Sequence, residues 1–152
     1  MSDDAYHNEL IGGVGGTPWG NKLSNNNQKV RTISAWWGQE DGADFIVLKG
    51  LELGWDDNTT RRVGHQEPYL EHDQFRFNDG ENIDQMIIHG AKNDPPGRAD
   101  ALEFHTTQDR HFFAGGPGGF PGSQVIGTGV VYGFDGAADA DIDSLGAIVQ
   151  EE

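Results

Sequence analysis

Seven short runs rich in β-branched and aromatic residues, each bounded by Gly, Asn or Asp, punctuate this chain, and none has helical spacing. They span residues 30–37, 45–53, 74–77, 83–89, 101–107, 125–134 and 145–149. Alternation marks several as half-buried strands: Ile33, Ala35 and Trp37 share one face, as do Leu102, Phe104 and Thr106, and Phe45, Val47 and, more loosely, Lys49. Adjacent Ile87 and Ile88 break the pattern, which predicts a bulge or a strand covered on both faces. Short strands between turn signals build sandwiches, barrels or prisms. The 23 Gly in 152 residues, well above the usual share of about 7%, supply the tight turns such a fold needs. With 6 Pro and no Gly-x-y period, a collagen helix is excluded.

Charge and termini narrow the class further. A formal net charge of −15 repels phosphate backbones and anionic headgroups, so neither nucleic acid nor membrane insertion is expected. The absence of an apolar run of about 18 residues argues against a transmembrane helix. MSDDAYHNEL is acidic and has no apolar core, so the expected location is cytoplasmic, or secreted without a classical signal peptide. Residues 1–10 are set apart as an N-terminal tail and 11–152 as one domain. There is no Cys, hence no disulfide and no thiolate metal site.

Three times a strand runs into a Gly, an acidic loop and a second strand. The passes are 33–37, Gly38, Asp41, 45–48; then 83–89, Gly90, Asp94, 101–104; then 130–134, Gly136, Asp143, 145–149. Gly pairs recur in Gly12-Gly13-Val14-Gly15-Gly16 and Gly115-Gly116-Pro117-Gly118-Gly119. A period near 50 residues suggests a pseudo-threefold arrangement.

These pieces resemble the jacalin-related lectins. Gly12 to Trp19 is similar to that family's Gly-rich opening ending in Pro-Trp. Leu102-Glu103-Phe104-His105-Thr106 is similar to its "LxFxT" strand, and Tyr132-Gly133-Phe134-Asp135-Gly136 with Ile142-Asp143-Ser144-Leu145-Gly146 to its closing segment. The resemblance implies an all-β, β-prism I fold: three four-stranded antiparallel Greek-key sheets around a pseudo-threefold axis. It also implies a carbohydrate-binding lectin that is not an enzyme, needs no cofactor, takes mannose- or glucose-type glycans, and forms dimers or larger homo-oligomers. The family site joins a backbone amide of a Gly pair to a Gly-x-x-x-Asp loop, whose amides donate to sugar oxygens and whose carboxylate accepts from sugar hydroxyls. Carried over, the first site uses Gly16 and the loop Asp139-Ala140-Asp141-Ile142-Asp143, with Asp143 accepting and the amides of Ala140 and Asp141 donating. Asp139 stands where the family has Gly, which puts the loop shape in question if that position needs a positive φ. The second site uses Gly90-Ala91-Lys92-Asn93-Asp94 with Gly118 and Gly119. In the remaining repeat, Gly38-Gln39-Glu40-Asp41 is one residue short and Gly64-His65-Gln66-Glu67 replaces the Gly pair, so that site is expected to be dead.

Other readings of the same residues stay open. Asp143 and Asp94 can be turn residues satisfying their own loops. Asp139-x-Asp141-x-Asp143 resembles the start of a calcium loop, without the Gly and Glu that such a loop needs. Trp36-Trp37 can offer one ring as a stacking platform, since adjacent strand residues face opposite ways. The six His show no zinc-site spacing. A prism that has lost sugar binding and serves as an interaction domain is the main alternative.

Overall fold

The computed structural model describes residues 4–40, 45–91 and 97–152. Among these, thirteen strands and no helix are present: β1 Ala5–His7, β2 Ile11–Gly12, β3 Thr17–Pro18, β4 Val30–Gln39, β5 Ile46–Trp55, β6 Thr60–Gly64, β7 Glu71–Arg76, β8 Ile83–Gly90, β9 Ala99–Thr106, β10 His111–Gly115, β11 Phe120–Ser123, β12 Val131–Ala138 and β13 Ile142–Gln150.

All pairings between these strands are antiparallel, and they form three sheets in the orders β1-β13-β12-β3, β6-β5-β4-β7 and β10-β9-β8-β11. In the first, β2 also pairs with β13, so β1 and β2 are two halves of one edge strand and the sheet is four strands wide. Asn8 marks the break: its side-chain amide donates to the carbonyls of Val125 and Ala147, and its Oδ1 accepts the Val125 amide. Residues 5–7, set apart above as tail, therefore belong to the prism. The three-sheet prism implied by the resemblance is the fold of this chain.

The long central hairpins arise where apolar alternation is strongest. Ile33, Ala35, Leu102, Phe104 and Thr106 all point inward and are essentially solvent-free. Phe75, Phe77, Phe104 and Phe112 meet ring against ring between the second and third sheets, with centroids 4.9–5.9 Å apart. Leu145, Ile142 and Phe134 bring the first sheet onto the same core. Such a core binds all three sheets through burial of apolar area. Ile87 and Ile88 divide between faces, Ile88 fully buried and Ile87 partly covered, with register shifts at both ends of β8.

Where the sequence reading was incomplete, the missed strands are short or Gly- and Pro-containing edges (β1, β2, β3, β6, β10, β11). In such strands the apolar alternation is too brief to register. Residues 125–130 lie outside any strand, before β12 begins at Val131. Phe45 also departs from expectation: it precedes β5 and is 63% exposed, while Val47 is buried.

Candidate functional site

Arg98, just before β9, ion-pairs with Glu40, just after β4, and with Asp141 and Asp143, around the start of β13, so these strand ends meet at one end of the prism. His65 Nε2 meets the carbonyl of Asp139 at 3.0 Å.

The strand entering each sheet from this end carries one extra residue at the same place. Asp143 bulges between Ile142 and Ser144, which pair with Ala138 and Ala137. Asp100 bulges between Ala99 and Ala101, opposite Gly90 and His89. Lys49 bulges between Leu48 and Gly50, opposite Trp37 and Trp36. In each case the bulged residue's carbonyl accepts an amide from the neighbouring edge: Gly13 at 2.7 Å, Gly116 at 3.0 Å and His65 at 2.9 Å. The residue before each donor is a glycine of positive φ, Gly12 at 133°, Gly115 at 121° and Gly64 at 73°. A Cβ there would collide with that same carbonyl, so only glycine lets the edge close over the bulge. Two carboxylates and one ammonium thus occupy three equivalent positions.

At the first position, Gly15 and Gly16 lie against the Asp143 carboxylate. A Cβ on Gly16 would stand 2.6 Å from Oδ1, and one on Gly15 3.2 Å from Oδ2. Asp143 is buried, and Arg98 Nη1 approaches its Oδ2 at 3.2 Å. Burial pushes its carboxyl up; Arg98 opposes this, while Asp139 and Asp141 add to it. Asp141 turns inward, 2% exposed, with its oxygens 2.5 Å from Lys49 Nζ and 2.9 Å from Arg98 Nε. Ala140 is exposed at the loop tip. Asp139 is not among the residues with positive φ, so the family's glycine can be replaced here without strain; its carboxylate accepts from Thr17 Oγ1. The Asp141 and Asp143 carboxylates already face an ammonium and a guanidinium, and no cluster of three metal-ligating side chains occurs among the described residues.

At the second position, Gly118 and Gly119 lie beside Asp100; Asp94, expected there, falls outside the described residues. A Cβ on Gly118 would stand 3.8 Å from Asp100 Oδ2, and one on Gly119 would press on the Gly90 amide. Asp100 is 9% exposed, and among the described residues no hydrogen-bond donor reaches its carboxylate. Burial pushes its pKa up to about 6, the negative charge of Glu40 adds to this, and His89 opposes it. A cleft of about 410 Å³ opens over it.

At the third position the ammonium of Lys49 stands where the others have a carboxylate, and it is consumed by Asp141. A cation cannot accept from hydroxyls, so this repeat lacks a carboxylate acceptor at the bulge. The Trp36 ring is no open platform: His72 stacks on it at 4.6 Å and Arg62 lies over it.

Asp100, Lys49 and Arg98 escaped the sequence reading because the loops were aligned from their first glycine. The buried leucines two residues after each bulge (Leu145, Leu102 and Leu51) are the sequence signal that aligns Asp143, Asp100 and Lys49.

A family profile described as the jacalin-like lectin domain matches residues 8–148. No curated protein matches the chain by sequence. Among solved structures, the fold is similar to that of a lamprey immune protein, at 23% identity and a TM-score of 0.79, over 97% of this chain and 44% of that one. The chain thus spans less than half of that relative. It is similar over nearly the full length of both chains to a Malaysian banana lectin (22% identity, TM-score 0.73, 98% and 100% covered). The same holds for a mannose-binding jacalin-related lectin from Ananas comosus (17% identity, TM-score 0.75, 97% and 99% covered). With the profile spanning nearly the whole chain, the protein belongs to the jacalin-like lectin domain family.

Proposed function

We propose that this chain is a non-catalytic glycan-binding protein that takes neutral mannose- or glucose-type sugars at one end of the prism. The observation that carries this reading is the pair of equivalent bulges that set Asp143 and Asp100 beside Gly15-Gly16 and Gly118-Gly119. A carboxylate accepting from adjacent hydroxyls, with unhindered backbone beside it, orients a polyol without large apolar burial. Of the two, the Asp100 site is the stronger, since Arg98 already engages one oxygen of Asp143. The mannose-type preference draws support from the mannose-binding Ananas comosus lectin of similar fold.

Contacts of this kind exchange water for protein at little net gain, so a single site should bind near millimolar, about −4 kcal/mol. Useful avidity then requires both sites, or a dimer or larger assembly, on one multivalent surface. Glycan-array screening tests the reading: binding to mannose- or glucose-terminated glycans, competed by methyl mannoside and not by galactose, is expected. No hit on any neutral glycan would overturn it.

One observation favours a second reading, a prism that serves as an interaction domain. Lys49 at the third position and Arg98 on Asp143 leave only Asp100 open among the described residues. A silent array together with stable capture of a protein partner would select it.

A further inference from the structure

Large apolar side chains exposed beside a buried carboxylate call for an explanation, and the Asp100 cleft has two. Phe120, on the edge strand β11 opposite Gly90, is 60% exposed, and Phe45 at the mouth of β5 is 63% exposed. Both line the same cleft as Asp100, with Val47 and Ala91 completing an apolar wall. The Phe45 backbone is fixed, its carbonyl accepting the Glu40 amide at 2.8 Å. The loop before β11 is held against β5, since a Cβ on Gly116 would strike Ile46. At about 410 Å³ the cleft falls within the range of roughly 300–1,000 Å³ of pockets that enclose drug-sized ligands, more than one hexose needs.

Resting on the sugar-binding reading above, we infer that the Asp100 site selects glycosides bearing an apolar substituent, the sugar hydroxyls on Asp100 and the substituent between Phe45 and Phe120. Two rings lining one cleft suit an aryl or branched alkyl group, which gains by leaving water where a bare hydroxyl gains little. The Asp143 site is built differently: its carboxylate is flanked by Gly15, Gly16 and Arg98, with no aromatic ring among those contacts. The two sites of one chain then differ in ligand class, one for simple terminal sugars and one for capped ones.

Isothermal titration of the full chain with matched methyl and phenyl α-glycosides of mannose, glucose and galactose tests this. The expected result is a phenyl glycoside at least tenfold tighter than its methyl partner. Phe45→Ala and Phe120→Ala should each reduce that ratio toward one while methyl glycoside binding changes less than twofold, and Asp100→Asn should remove the phenyl advantage. Circular dichroism confirms that each variant is folded. Equal affinity of methyl and phenyl partners would overturn the inference and leave the sugar reading standing. A phenyl preference that survives both Phe variants, or that vanishes in Asp143→Asn instead, would also overturn it. If no glycoside of either kind binds, the sugar reading falls and takes this inference with it.

Discussion

Asp100 combines burial with the want of a donor among the described residues, and both properties have measurable consequences. Its carboxyl, raised to about 6 by burial and by Glu40, must be ionised to accept from a sugar. Glycan binding through this site should therefore weaken as pH falls through about 6, whereas an ordinary aspartate would hold its charge to about 4. The stability sign is opposite. A carboxyl raised in the folded state contributes fully below its unfolded value near 4, and that contribution is lost as pH rises through about 6. Asp100→Asn should thus raise the melting temperature at pH 7.5 while lowering glycan affinity at least tenfold, with the thermal difference vanishing below pH 4 in scanning calorimetry. Asp143→Asn should weaken binding less, because Arg98 already holds one of its oxygens. An equal loss from the two variants would show the first site to be as open as the second.

Single strands carry the next level of constraint, since each bulge depends on the glycine that closes over it. Gly115, at φ 121° and against the Asp100 carbonyl, has no room for a Cβ. Gly115→Ala should cost about 1–3 kcal/mol, the range for a strained backbone position. It should also impair phenyl glycoside binding while sparing the Asp143 site. Lys49 stabilises in a different way, by neutralising the buried Asp141 across two sheets. Removing one partner of a buried pair typically costs about 3–5 kcal/mol, so Lys49→Ala should lower the denaturant midpoint markedly although the residue touches no sugar. The strand edges also explain what escaped notice in the sequence. Two-residue strands such as Thr17–Pro18 have no period to read, and they exist because β12 presents unpaired backbone groups.

Across the whole molecule, the proposed site and the Glu81 cluster lie at opposite ends, because Gly90 and Ile83 terminate the same strand β8. Beyond Ile83 lies Glu81, fully buried, gripped by Arg110 at 2.5 and 3.0 Å and by Thr106 Oγ1 at 2.5 Å, with the Asn78 amide at 2.9 Å. The Arg110 guanidinium leads in holding its carboxyl down at about 2. Its stabilisation is therefore present above the unfolded value near 4.5 and is lost as pH falls toward 2. Glu81→Gln should lower the melting temperature at pH 7 and reduce the acid sensitivity between pH 4.5 and 2, with glycan affinity unchanged. Glycan binding is also expected to persist in excess chelator, since amide and carboxylate contacts need no ion. The Asp100→Asn, Asp143→Asn double variant should lose binding to a multivalent glycan surface while its circular dichroism stays native.

The all-β class, the threefold recurrence and the pairing of the two Gly-rich strings were legible in the sequence. Alternation, turn residues and repetition are local properties that burial on one face imposes directly. What only the tertiary structure decided was that Asp100 is a buried carboxylate beside Gly118 and Gly119, and which charges face Asp143. The bulge that sets Asp100 beside Gly118 and Gly119 is fixed by how β8 and β9 pair. Arg98 and Lys49 reach carboxylates 43 and 92 positions away in sequence, a proximity that exists only once three sheets have closed around one core.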